Sequence, residues 1–205
     1  MSETIPLFPL KMVLLPGVRI PLHIFEDRYK LMTKECVDAD SEFGLMMGVD
    51  DEFETVGCAA RVTDVINTFT DGRMNIIVEG TDRIRLIERH DDQAYISGTV
   101  ERLPDLEEEM NAVLVEETRA LYVEALKLSI GWYRAPKRAG EAVGLLSYTV
   151  ASALGMPEDR QQLLLEETSV NRRYELLKET LESTLTGLRE HARRVSGNGK
   201  AHRGP

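Results

Sequence analysis

From Val18 to Ile24 the side chains alternate: Val18, Ile20, Leu22 and Ile24 face one way and Arg19, Pro21 and His23 the other. That is the period of a half-buried strand. Pro21 has no N–H to give to a ladder, so the strand is expected at an edge or a bulge. Pro16-Gly17 immediately before it has the residues of a type II turn, proline presetting φ and glycine accepting a positive one. After Ile24 the period lengthens. Phe25, Tyr29, Met32 and Cys36 recur as one helical stripe behind Glu26 and Asp27, which suit the positive end of a helix. The stripe predicts a helix whose apolar face, Phe25 included, meets the core.

Leu7 to Leu10 reads as a short strand between prolines, Glu35 to Glu42 as an acidic loop, and Phe43 to Gly48 as a buried strand. The segment Asp50 to Glu54 reads as a solvated connection. Val56 to Phe69 and Arg73 to Glu88 are rich in β-branched residues and flank Asp71-Gly72, a strong hairpin signal. Gly80 interrupts the second arm where a bulge or bend is useful. Arg83 and Arg85 are expected on a solvated strand face, paired with Glu79 or Glu88. Ala94 to Leu103 completes the set. Six or so strands with a single intervening helix predict a small, bent antiparallel barrel.

The composition shifts at Pro104. Glu107, Glu108 and Glu109 suit a helix N-terminus, and Met110, Leu114, Leu121, Ala125 and Leu128 form a stripe reaching Ile130. Ser129 to Arg138 is a break. Glu141 to Leu154 reads as an enclosed helix stopped by Gly155, and Pro157 opens a short helix ending near Leu165. Val170, Tyr174, Leu177, Leu181, Leu185 and Leu188 mark a long amphipathic helix. The expected fold class is therefore α+β, with a barrel subdomain over 1–104, a helical bundle over 105–195 and a disordered tail over 196–205.

Several stretches carry a resemblance. Leu7-Phe8-Pro9-Leu10, Val13-Leu14-Leu15-Pro16-Gly17, Pro21 to Glu26 and Arg28-Tyr29 resemble the opening of the N-terminal, substrate-binding domain of the ATP-dependent protease Lon. Gly57 to Ala60, Asp71-Gly72-Arg73 through Gly80, Arg83-Ile84-Arg85 and Gln162-Leu163-Leu164 fit the same pattern, so the resemblance covers roughly residues 5–190. It implies a PUA-like barrel and a non-catalytic module for recognising exposed or unfolded polypeptide, a stand-alone member feeding a protease or chaperone. Barrels related to PUA also serve nucleic acids, and nucleic-acid or nucleotide binding is the alternative.

Composition narrows the choice. A chain of 205 residues with a net charge of −10 is long enough to bury about 70% of its unfolded surface and is poorly suited to a phosphate backbone. Cys36 and Cys58 sit among apolar neighbours with no CxxC or histidine spacing, as buried free thiols of a reducing compartment do. No apolar run approaches a membrane span and Met-Ser-Glu-Thr carries no basic leader, so the expected location is the cytoplasm. Asp38, Asp40 and Glu42 begin like a calcium loop, but Phe43 and Val49 stand where glycine and glutamate are needed.

Reactive chemistry is scarce. Gly199-Lys200 is followed by Ala201 and makes no phosphate cradle, and no G-x-S-x-G or H-E-x-x-H occurs. His23 is expected on a solvated strand face. No enzymatic activity, cofactor or metal is therefore expected. Trp132, Tyr133 and Arg134 fall in the break between helices and combine the residue types enriched at interface hot spots, which makes them the candidate peptide-binding residues. They are expected at the rim of a groove along the junction of barrel and bundle.

Overall fold

The computed structural model describes residues 2–49, 52–130 and 143–198, the side chains of 130 and 191–198 excepted. Seven strands and five helices are present among them: β1 (Ser2–Leu10), β2 (Arg19–Ile24), α1 (Asp27–Ala39), β3 (Phe43–Val49), β4 (Glu52–Phe53), β5 (Val56–Thr68), β6 (Met74–His90), β7 (Ser97–Arg102), α2 (Ala112–Ile130), α3 (Val143–Ala153), α4 (Glu158–Glu166) and α5 (Val170–Asn198). The expected α+β class holds: a bent, mostly antiparallel sheet precedes a set of helices.

The strand path β1-β7-β6-β5-β3 returns to β1 through one parallel pair, Leu7 to Leu10 against Gly44 to Met47. Side chains from all five of these strands meet in one cluster, Ile5, Leu7, Met46, Ala59, Ile84 and Val100, which fills the inside of the ring. There is no room to spare. A Cβ on Gly44 would lie 2.7 Å from Ile84 Cδ1 and 2.9 Å from Leu7 Cδ2.

On the outer side Phe8, Leu15, Ile24, Phe43, Leu45, Ile76 and Val78 join one buried cluster with Tyr29 and Met32 of α1 and with Tyr148, Leu164, Leu177, Leu181 and Leu185 of the helices. The turn before β2 forms as its residues require: Val18 N–H donates to Leu15 O (3.1 Å) and Gly17 has φ +75°. β2 pairs only with β6 among the described residues, so Pro21 sits on an edge strand.

Three sequence expectations change. Phe25 is 61% exposed, because α1 starts two residues later and Ile24 takes the inward position at the end of β2; its ring stacks beside His23, centroids 6.1 Å apart. Glu35 to Ala39 continue α1 and only Asp40, in the left-handed region, ends it. Glu107, Glu108 and Glu109 precede α2, which Asn111 caps by accepting from Leu114 N–H at 3.1 Å. Glu108 serves α5 instead. Its carboxylate accepts from Asn171 N–H and Ser169 Oγ, 3.0 and 2.9 Å, and the Asn171 amide, the first cause, holds its pKa below the usual value.

Arg83 is 3% exposed, not on a solvated strand face as expected. Its guanidinium donates to Glu167 O (2.7 Å), Pro104 O (2.9 Å), Leu165 O (3.4 Å) and Asp105 Oδ1 (2.9 Å). Arg173, fully buried on α5, grips the same carboxylate at 2.8 and 3.0 Å and donates to Ser147 Oγ and Glu167 O. Arg85, one turn of the pleat away, is exposed and faces Glu101 at 3.6 Å.

Asp105→Ala leaves two buried guanidiniums without their carboxylate, and should cost about 3–5 kcal/mol in urea denaturation, against about 0–1 kcal/mol for Glu101→Ala at the exposed pair. The Glu108 pKa is depressed on folding, so its stabilisation is present above the unfolded value near 4.5 and fades as pH falls through the folded value. Glu108→Gln should therefore lower the thermal midpoint at pH 7, with the difference from wild type closing under acid.

Candidate functional site

α1 presents Tyr29, Met32 and Cys36 to the core, which leaves Leu31 and Val37, 43% and 42% exposed, on its other side. Opposite them runs the outer part of the β5–β6 hairpin. Beyond Ala60 the pairing of β5 with β3 ends, so Arg61 to Thr68 leave the ring and keep only β6 as a neighbour. Val65 and Ile66 on this stretch are exposed at 44% and 62%. The hairpin closes where Asp71-Gly72 requires: Gly72 has φ +83° and Phe69 N–H donates to Arg73 O at 2.8 Å.

Between α1 and the hairpin lies a cleft of about 500 Å³ lined by Leu31, Val37, Val65 and Met74, with Lys30 and Lys34 on its wall. A smaller hollow of about 130 Å³ continues it along Arg61 to Val65, the two sharing Val37 and Val65. Phe69 and Phe25 flank His23 at the hairpin end, extending the apolar surface. Contiguous exposed apolar surface of this kind marks an interaction site more often than chance exposure does.

The charges around the cleft are spent on one another. Lys30 Nζ reaches Asp27 at 2.7 Å and Asp71 O at 3.2 Å. Lys34 holds Asp38, which keeps the ammonium pKa above its ordinary value. Arg73 pairs with Asp71 at 2.7 Å, and the Asp71 carboxyl is held below its usual range, first by the Arg73 amide. Arg61 lies 3.8 Å from Asp40 and 3.9 Å from Glu42.

A second cleft, about 290 Å³, opens between α4 and α5 over Met156, Leu163, Leu164 and Leu176, with Arg160, Glu179 and Thr180 at its border. The expected groove along the junction of sheet and helices is not where either cleft lies. Arg83, Asp105 and Arg173 fill that junction, and Gln162 Nε2 donates across it to Val56 O at 3.0 Å. Trp132, Tyr133 and Arg134 lie outside the described residues. His23 is on the exposed side of β2, as expected, its Nδ1 2.6 Å from Asn75 Oδ1.

No cluster of His, Cys, Asp or Glu among the described residues is arranged to hold a metal. Burial pushes the Cys36 and Cys58 thiols up, away from nucleophilic character. No described helix is long and apolar enough to cross a membrane. The surface residues Leu31, Val37, Val65 and Ile66 were legible only indirectly: Val65-Ile66 breaks the two-residue period of its strand, and Leu31 and Val37 fall off the stripe of their helix.

Fold and cleft together expose apolar side chains and a strand edge on one side of the molecule. The family of substrate-binding domains of the ATP-dependent protease La (Lon) matches residues 4–183, and the chain belongs to it. The Lon protease of Paraburkholderia phytofirmans is 27% identical over 92% of this chain, and that of Escherichia coli K12 26% identical over the same share. The chain spans about a quarter of the length of these relatives, 25% and 26%. Among solved structures, a Lon N-terminal domain protein from Xanthomonas campestris superposes with a TM-score of 0.67 at 27% identity, over 85% of this chain and 96% of that one. The N-terminal domain of a Mycobacterium avium complex Lon protease shares the fold, with a TM-score of 0.73 at 18% identity over 88% and 98% of the two chains.

If the patch is free surface, Phe25→Ala should leave the denaturation midpoint within about 0.5 kcal/mol of wild type. Met32→Ala, on the core face of α1 and fully buried, should cost about 2–5 kcal/mol in the same measurement.

Proposed function

We propose that this chain recognises exposed or unfolded polypeptide in the cytoplasm without catalysing a reaction, and passes it to a protease or chaperone. The observation that carries the reading is the apolar cleft between α1 and the β5–β6 hairpin, in a chain whose family is described as substrate-binding. Its ion pairs are internally neutralised, so what the cleft has left to offer is apolar contact. A folded protein buries the side chains that would fit; an unfolded one exposes them. The net charge of −10 weighs against the alternative, nucleic acid, whose binding rests on neutralised phosphates. Trp132, Tyr133 and Arg134 are assigned as a second anchor, aromatic rings for apolar side chains and the guanidinium for carbonyl or acidic groups.

The test is titration with a permanently unfolded, cysteine-blocked globular protein, its native form, and a single-stranded RNA, each at two salt concentrations. Binding of the unfolded form alone, little changed by salt, is expected. Leu31→Asp puts an unpaired charge in the cleft and should weaken binding at least about tenfold. Trp132→Ala should weaken it less, read by the anisotropy of a dye on the unfolded protein, because the variant has no tryptophan of its own. RNA binding with a steep salt dependence, or no preference for the unfolded form, would sink the reading.

A further inference from the structure

The sheet ring leaves one long strand edge unpartnered beside the apolar cleft. Arg61 to Thr68 pair with β6 from Glu79 to Met74 on one side and with no strand on the other among the described residues. At about 3.3 Å per residue this edge runs roughly 26 Å. Its outward N–H and C=O groups form a row that water alone would have to satisfy.

The other edge of this three-stranded extension is β2, and there Pro21 interrupts the donors. β5 has no proline between Arg61 and Thr68. It does carry register shifts between Val62 and Asp64 and between Val65 and Asn67. Bulges of this kind coil a strand and spoil it as a template for a flat sheet. A strand added here has to follow that local twist.

The cleft lies along this edge. Its larger part touches Val65 and Thr68 and its smaller part Arg61 to Val65, with α1 as the opposite wall throughout. An added strand would therefore set its backbone on β5 and alternate side chains against Leu31 and Val37 of α1. Charge decides which strand. Lys30, Lys34, Arg61 and Arg73 are each matched by a carboxylate, so the larger part of the cleft complements uncharged segments, while the unmatched Asp64 on the smaller hollow disfavours an acidic one.

We infer that the client binds by strand addition: an extended, uncharged, apolar-rich segment pairs its backbone with the free edge of β5 and lays every second side chain in the cleft against α1. This rests on the functional reading above and specifies its mode. Recognition through backbone hydrogen bonds explains how one site accepts many sequences, since every non-proline residue carries the same donor and acceptor.

The experiment uses a fluorescent nonapeptide of alternating valine and threonine with a lysine at each end. It is compared with versions N-methylated at every odd residue, at every even residue, and at all residues. A strand pairs through one edge only, so the half-methylated peptide whose methyl groups face away from β5 should bind within about threefold of the parent, and the other, which must turn over or reverse to present an intact edge, more weakly. The fully methylated peptide loses both edges and should bind at least about tenfold more weakly. Amide exchange at Arg61 to Thr68 should slow when the parent peptide binds. Equal binding of the fully methylated peptide, or unchanged exchange along β5, overturns strand addition while leaving polypeptide recognition standing. So does failure of the parent peptide to bind where the unfolded protein binds. Failure of the unfolded protein itself overturns the functional reading instead.

Discussion

Two buried arginines reaching for one aspartate hold the sheet and the helices in a single arrangement. Arg83 comes from β6, Arg173 from α5, and Asp105 from the segment that leaves β7, so three distant parts of the chain meet at one carboxylate. Two positive charges against one negative would be costly in a low-dielectric interior. The main-chain carbonyls of Leu165 and Glu167 offset the difference. They belong to the C-terminal end of α4, where unsatisfied carbonyls gather and the helix dipole is negative. The ring of Tyr148 lies 4.6 Å from the Arg173 guanidinium and supplies its electron-rich face. Burial pulls Arg83 below its ordinary pKa and pushes Tyr148 up to about 12, and both changes follow from desolvation.

That node also explains where a partner can and cannot go. The junction between sheet and helices is usually a good place for a pocket; here it is occupied by side chains whose donors are already committed. The inside of the ring is no more available, because Leu7, Met46, Ile84 and Val100 close it. Exposed surface is what remains. The hairpin of β5 and β6 contributes Val65 and Ile66 to it because it outgrows the ring: past Ala60 it has no strand but β6 beside it. The same overhang that leaves apolar side chains in solvent leaves a strand edge unpaired beside them.

Much of the frame was readable from periodicity. Val18 to Ile24, the Asp71-Gly72 hairpin, the stop at Gly155 and the stripe from Val170 to Leu188 all form as their patterns require, since each rests on local geometry. Strand and helix periods, a positive φ at glycine and an edge position for Pro21 depend on a few neighbouring residues. The family likeness in the opening residues extended this to the architecture as a whole.

What local pattern could not decide is partner choice across long separations. Phe25, Arg83 and Glu108 each had a sensible local assignment, and each was overruled by a group far away in the chain or by the position at which a helix begins. Arg83 looks like a solvated strand residue until Pro104, Asp105 and Glu167 are brought beside it, and only then is burying a guanidinium affordable. Glu108 looks like the start of α2 until α5 arrives with Ser169 and Asn171. The sequence by itself determined the elements and their apolar faces, because those follow from residue spacing. The tertiary structure alone decided which charges are buried together, and which strand edge and apolar faces are left uncovered, because those depend on distances that spacing along the chain does not encode.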